Sequence, residues 1–338
     1  MVVGFVALAI SIRLRLSDAA FRAWRNRIIL LAVTCALAAL AVEAATRYVF
    51  RNVTTGSDNG GFFSLRWARE GHVQTNGDGF RERSFSATKP AGTYRIVVLG
   101  DSFTFGNGLE ANERYSDRLQ AWLPHGYEVL NFGAPGANTP QHLYTLRARV
   151  LPADPDFVLL QWFVNDIEGD SVEGRPLIRP LIPLRAVHNW LQAHSALYTV
   201  ANMRWGEVQV ASGMAGSYAD YLKARAGDPQ SADARRDAET LKTIIDEVRG
   251  QGRAIGIVLF PDPGPDLGES YPFAFLHDHV MNVCRETNVP CLDLRADFAA
   301  VSDRRSLWVS PFDHHPSARA NEIAAVKILE VFRRYWLK

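Results

Sequence analysis

Ser102 heads the chemistry this chain could perform. It closes the stretch Ile96-Val97-Val98-Leu99-Gly100-Asp101-Ser102, in which four β-permissive apolar residues open into a polar turn. Such a run suits a strand buried on both faces, and Gly100 and Gly106 permit a tight turn around the hydroxyl. A serine at the carboxyl end of a strand lies where open α/β sheets keep their active sites. Because a serine hydroxyl alone is a poor nucleophile, it needs a base, an orienting acid and oxyanion donors. Asp313-His314-His315-Pro316 offers the acid and the base, imidazole being the usual base for serine. Leu130 to Asn138 and Val158 to Asp166 are apolar runs opening into polar loops, and both are candidates to supply oxyanion donors.

This set, in this order, resembles the SGNH hydrolases, the GDSL-type esterase and lipase superfamily, in which Ser, Gly, Asn and His head four sequence blocks. Ser102, Gly136, Asn165 and His315 match them, and the likeness covers residues 93–338. Its specificity comes from order and spacing, since a lone Gly-Asp-Ser is common by chance. Gly136 is aligned with the family glycine because it follows Asn131 closely and precedes Asn138; Gly133 is the alternative. The commonest family pattern puts the acid three residues before the histidine, where this chain has Phe312. The resemblance therefore assigns the acid to Asp313, two residues before His315, a spacing that also occurs in SGNH-type sugar acetyltransferases. His315 is preferred to His314 because the family histidine is usually followed by proline.

The resemblance implies a Ser102–His315–Asp313 triad. It also implies an oxyanion hole made by the backbone amides of Ser102 and Gly136 and the side-chain amide of Asn165. The activity implied is a serine esterase acting on acetyl or other short acyl esters, with an acylated envelope glycan or a lipid as substrate class. An O-acyltransferase modifying a cell-envelope polysaccharide would use the same triad with a sugar hydroxyl as acceptor. A non-catalytic carbohydrate-binding or scaffold protein is the alternative of another class.

Around the site, strands alternate with helices. Strands are expected at Ile96–Leu99, Val129–Phe132, Phe157–Phe163, Ala254–Phe260 and Val289–Leu294. Helices are expected at Tyr115–Leu123, Gln141–Val150, Ala232–Gln251 and Ala274–Thr287, with a closing helix after His315. This alternation predicts a flavodoxin-like three-layer α/β/α sandwich on a five-stranded parallel sheet. An insertion at about 170–231, with apolar portions Leu177–Leu184 and Val187–Val208, reads either as a helical pair packed on the sheet edge or as a cap over the site.

The amino-terminal part is of another kind. Ile28 to Val42 is an uncharged apolar run, and with the small residues to Thr46 it approaches the roughly 20 residues that span a bilayer, interrupted by Glu43. A single transmembrane helix at 28–46 is expected, after a cytoplasmic or interfacial segment at 1–27. Arg13, Arg15, Arg22, Arg25 and Arg27 precede the run, against Arg47 and Arg51 after it, so the positive-inside rule places the hydrolase domain outside the cytoplasm, periplasmic in a Gram-negative host. A cleaved signal peptide is the alternative. Val2 to Ile12 is too short to span and suits an interface. Residues 47–92 carry Phe62, Phe63, Trp67, Phe80 and Phe85, too many aromatics for a disordered tether, and are expected to fold back on the domain as an irregular arm or short strands.

Composition excludes other classes. The formal net charge of +1 leaves no nucleic-acid footprint. No phosphate-loop or dinucleotide glycine pattern follows the first strand, so no nucleotide cofactor is expected. His277 and His279, two residues apart on a helix, point to different faces, and Asp166, Glu168 and Asp170 lack the EF-hand register; no metal is expected. Those three read as an acidic loop, with Asp166 bracing the loop that holds Asn165, while Asp262 and Asp266 follow the fourth strand on the functional edge and read either as part of a solvated, proline-stiffened loop or as substrate contacts, the loop being preferred. The chain has three cysteines; Cys284 and Cys291 suit either a bridge or two buried thiols.

Overall fold

The computed structural model describes residues 17–54, 60–169 and 173–336 and divides the chain into two compact units. The first runs to Asn52 and takes in Ser195–Leu197. It is dominated by α1 (Asp18–Val49), which Ser17 caps by accepting the Ala20 N–H at 3.3 Å. The expected span at 28–46 lies inside this longer helix, whose most apolar window has a mean hydropathy of 2.4 and whose residues are all at least partly exposed. By length and composition α1 can cross a membrane, and it is not the buried core helix of a globular domain. Within this unit Glu43, the carboxylate that interrupts the run, pairs with Arg47 at 2.6 Å and accepts the Ser195 hydroxyl at 2.7 Å. It also accepts the backbone N–H groups of Ala196 and Leu197, each at 3.0 Å. The expected interfacial stretch Val2–Ile12 and Asp170 lie outside the described residues.

The second unit is built on β1 (Tyr94–Gly100), β2 (Tyr127–Gly133), β3 (Phe157–Trp162), β4 (Ala254–Leu259) and β5 (Cys291–Asp293). They form one parallel sheet in the order β2-β1-β3-β4-β5. Ile96 to Gly100 and the whole of β3 are buried, which is why these strands are continuous apolar runs rather than alternating ones. The helices are α2 (Phe62–Arg69), α3 (Ser102–Phe105), α4 (Tyr115–Trp122), α5 (Thr139–Thr145), α6 (Arg185–His194), α7 (Ala196–Ala211), α8 (Tyr218–Ala226), α9 (Ala232–Gly250), α10 (Ala274–Thr287), α11 (Arg295–Ala299) and α12 (Ala318–Trp336). α4 packs with α12, and α9 packs with both α5 and α10, giving the helical layers on either side of the sheet. A two-stranded antiparallel hairpin, β6 (Trp308–Ser310) and β7 (Asp313–Pro316), precedes α12.

Several expectations shift. The helix expected at 141–150 is α-helical to Thr145 and continues as a π turn over Leu146–Val150. The last strand is Cys291–Asp293, half-buried at the sheet edge, and Cys291 is bridged to Cys284 of α10. The arm before β1 contains α2, with Phe63 and Trp67 buried, while Phe80 and Phe85 pack on Phe132 at 4.8 and 5.7 Å between ring centroids. In the insertion α7 packs in part, with Tyr198, Thr199 and Gln209 buried, and α6 does not. All residues of α6 are at least partly exposed, Trp190 is 61% exposed, and Leu177–Leu184 is not helical.

Candidate active site

In a sheet of this order the loops that follow β1 and β3 diverge to opposite faces and leave a crevice between them. Ser102 follows β1 and Asn165 follows β3. Asp101 turns the chain out of β1: its Oδ1 accepts the Phe103 N–H at 2.8 Å and caps α3, which starts at Ser102. The Ser102 hydroxyl lies 2.9 Å from His315 Nε2, and His315 Nδ1 lies 2.6 Å from Asp313 Oδ1. Asp313 also accepts the backbone N–H of His315 at 3.0 Å.

The two-residue spacing of acid and base has a simple origin in β7. Alternate residues of a strand share a face, so Asp313 and His315 stand side by side and His314 points the other way. The His314 ring packs 4.5 Å from that of Trp308, with Nδ1 3.7 Å from Asp262. Burial, the largest influence on His315, would lower its pKa. The charge and hydrogen bond of Asp313, with the charges of Asp101 and Asp262, outweigh burial and hold the imidazole above its ordinary value.

Gly136 and Asn165 stand on loops after β2 and β3, the two neighbours of β1. Gly136 follows Pro135 in a turn closed by the Ala137 N–H to Ala134 carbonyl bond at 3.0 Å, and its φ of +76° is the left-handed value that favours glycine. Asn165 sits in the 3-10 turn Val164–Ile167, which Asp166 holds by accepting the Phe163 N–H at 3.1 Å. The Oδ1 of Asn165 is buried and makes no hydrogen bond within the protein. Gly133, the alternative to Gly136, has a packing role: a Cβ there would fall 2.2 Å from the backbone nitrogen of Phe105, so only glycine lets α3 lie against the end of β2.

Sequence reasoning missed Gln161, His142 and Asn107, and it preferred a solvated loop for Asp262. Gln161 Oε1 accepts the Asp101 N–H at 3.1 Å and the Thr104 hydroxyl at 2.8 Å, tying the serine turn to β3; a glutamine inside an apolar run was its signal. His142 and Asp166 form a fully buried pair, Nε2 to Oδ2 at 3.3 Å, so Asp166 is no solvated acid. Burial pushes the Asp166 carboxyl up to about 7. The same burial would lower His142, but the charge of Asp166 and its hydrogen bond hold it above its ordinary value. Asp262, expected in a solvated loop, instead lines a 250 Å³ cavity with Phe103, Phe163, Phe312, Asp313 and His315, because its backbone is tied back to the Tyr271 hydroxyl at 2.8 Å. Asp266 does stay exposed, paired with Arg304 at 2.6 Å. Asn107 Nδ2 lies 3.5 Å from His315 Nε2, and no feature of the sequence marks it. His277 and His279 go to separate partners, Asp293 at 2.9 Å and Asp237 at 3.0 Å.

The sequence profile of the GDSL-like lipase/acylhydrolase family matches residues 98–323. No curated protein matches the chain. Among solved structures, the acetyl xylan esterase AlAXEase is 17% identical, with 70% of this chain and 98% of that chain covered and a TM-score of 0.45. A lipase/acylhydrolase from Enterococcus faecalis is 18% identical over 72% of this chain and 97% of its own, TM-score 0.44. An acetylxylan esterase from Geobacillus stearothermophilus is 17% identical over 72% and 96%, TM-score 0.44.

Proposed function

The chain belongs to the GDSL-like lipase/acylhydrolase family and is an ester-hydrolysing enzyme, and from that premise we propose that it is a serine esterase of short acyl esters working through Ser102, His315 and Asp313. What carries the reading is the unbroken pair of hydrogen bonds from Ser102 through His315 to Asp313, at 2.9 and 2.6 Å. Ser102 Oγ attacks the ester carbonyl carbon while His315 Nε2 takes the hydroxyl proton. Asp313 keeps the proton on Nδ1 and stabilises the imidazolium. The bond to the alcohol oxygen then breaks, and His315 returns the proton to that oxygen. A water deprotonated by His315 cleaves the acyl-serine, releasing the acid and restoring Ser102.

The backbone amides of Ser102 and Gly136 and the carboxamide of Asn165 are proposed to hold the oxyanion, each donor contributing about 3 kcal/mol to the barrier reduction. The small cavity against His315, walled by Phe103 and Phe163, favours a short acyl group. The test is release of p-nitrophenol from p-nitrophenyl acetate by the full chain and by Ser102→Ala. The expected result is loss of turnover with an unchanged thermal melt; turnover surviving the substitution would remove Ser102 from the mechanism.

The same proposal places α1 in a membrane as an anchor, with the esterase unit outside the cytoplasm. The support is its length, its exposed apolar surface and the arginine excess on its amino-terminal side. Protease added to intact spheroplasts is expected to digest the esterase unit; full protection would reverse the orientation.

A further inference from the structure

Next to the 250 Å³ cavity at His315 opens a larger cleft of 810 Å³, and the two share Phe312 and His314 as a common wall. The insertion builds its other side. α6 supplies His188, Asn189 and Gln192, and α7 supplies Asn202 and Glu207. We infer that this cleft is the alcohol-side subsite of the enzyme and that it receives a neutral, hydroxyl-rich chain, a glycan whose acyl ester reaches Ser102 past Phe312 and His314. The inference rests on the esterase reading above and gives that site its substrate class.

The chemistry of the lining carries the argument. Its carboxylate, Glu207, is paired with Arg204 at 2.7 Å, and among the described residues no lysine or arginine side chain lines the cleft. Arg204 also lies 5.1 Å from the centre of the Phe312 ring, but its charge is already matched by Glu207, so a phosphate headgroup or an acidic polysaccharide would find no unpaired cation there. What the cleft offers is carboxamide and imidazole. A carboxamide both donates and accepts, which matches a sugar hydroxyl that does the same. Gln192 adds a third carboxamide residue to the wall, beside Asn189 and Asn202. Asn202 already uses its Oδ1 to accept the Leu181 N–H at 2.9 Å, which leaves its NH₂ for a ligand. The Tyr198 hydroxyl accepts the Ile182 N–H at 3.3 Å and lies 2.7 Å from His188 Nδ1. With Nδ1 engaged by Tyr198, Nε2 is the ring nitrogen of His188 that can meet a ligand hydroxyl.

The position of the insertion explains why such a subsite would be attached to this fold. A wall shared at Phe312, one residue before Asp313, puts a ligand in the cleft within one side chain of the acid and base. An acetyl group on a sugar oxygen can then occupy the small cavity while the chain lies along α6 and α7.

The experiment compares two esters with the full-length protein: p-nitrophenyl acetate, which is too small to reach both cavities, and an acetylated cello-oligosaccharide. In wild type, both are expected to be hydrolysed. In Gln192→Ala and in the Asn189→Ala/Gln192→Ala pair, the ratio of kcat/KM for the oligosaccharide ester to that for p-nitrophenyl acetate is expected to fall at least tenfold, mainly through KM. Asn189 is exposed, so Asn189→Ala alone supplies a variant whose folding is not at risk. An unchanged ratio in all three overturns the subsite. Wild type that cleaves p-nitrophenyl acetate and ignores the oligosaccharide overturns it too, while the esterase reading stands; so does a preference for a short-chain phosphatidylglycerol ester. Wild type that cleaves no ester sinks the esterase reading and this inference with it.

Discussion

The two ends of the central sheet treat buried polar groups in opposite ways. At the amino-terminal end Arg95, fully buried at the start of β1, bonds Glu128 at 2.7 Å and the carbonyls of Ser86, Ala87 and Ala153. Its backbone N–H goes to Asp156 at 2.7 Å, where Lys89 also lands at 2.6 Å. At the carboxyl-terminal end, Asp101 Oδ2, Gln161 Nε2, Asn165 Oδ1 and Asp166 Oδ1 are all buried and make no hydrogen bond within the protein. A buried polar atom left unmatched costs about 1–3 kcal/mol. One end of the sheet spends its polar groups on holding the fold together; the other leaves them unmatched beside Ser102, at a cost in stability. Such departures from complete satisfaction gather where a fold does chemistry.

Substitutions at the two ends should therefore separate activity from stability. The largest loss is expected for Asp313→Asn, which keeps the shape but not the charge that orients His315: kcat for p-nitrophenyl acetate should fall roughly 10³- to 10⁴-fold with little change in melting. Arg95→Leu is the opposite case. It leaves three carbonyls without their donor and Glu128 with Arg83 alone, and should cost about 3–5 kcal/mol in urea unfolding, while kcat per folded molecule stays within twofold. Equal kcat losses at both ends would abolish the distinction. Asn165→Ala should lower kcat about 10²- to 10³-fold and leave KM nearly unchanged, as removal of one oxyanion donor does.

The smallest effects are those of pH. His315 must be neutral to act, and its pKa is held above the ordinary histidine value, so kcat/KM should rise with pH along a limb centred above 6.5. In Asp313→Asn the limb should move to lower pH. The buried His142 and Asp166 both have raised pKa values, so across the window they span the folded state binds more protons than the unfolded chain, and stability falls as pH rises. For Asp166 that window runs from the ordinary aspartate value of 3.8 to about 7. The pair His142→Gln/Asp166→Asn should flatten the decline in melting temperature between pH 5 and pH 8. An unaltered slope would mean that other groups set it.

Much of this was legible because the strands that carry Ser102 and Asn165 are buried on both faces and so stand out as apolar runs; β1 and β3 appear almost where the sequence puts them. β7 was not legible as a strand. Asp-His-His-Pro has no β-forming pattern, and it extends only because it pairs with β6. The alternation of β7 separates His315 from His314, a choice that the sequence could support only through the proline that follows His315. The insertion misled for a different reason. Its apolar content reads as packing, yet Trp190 on α6 is 61% exposed, because composition does not say which face of a helix has a partner. His142 escaped, and Asp262 was read first as a solvated loop residue, because their partners come from distant segments, and no local spacing records that.

The most direct measurement is to treat the full-length protein with diethyl p-nitrophenyl phosphate, a reagent that phosphorylates an activated serine, and to locate the label by peptide mass spectrometry while following hydrolysis of p-nitrophenyl acetate. One phosphoryl group per chain on the peptide containing Ser102, with hydrolysis lost in proportion and no labelling in His315→Ala, is the result expected of a serine activated by the hydrogen bonds described here. Hydrolysis that persists in fully labelled protein, or a label that settles on another residue, would contradict it.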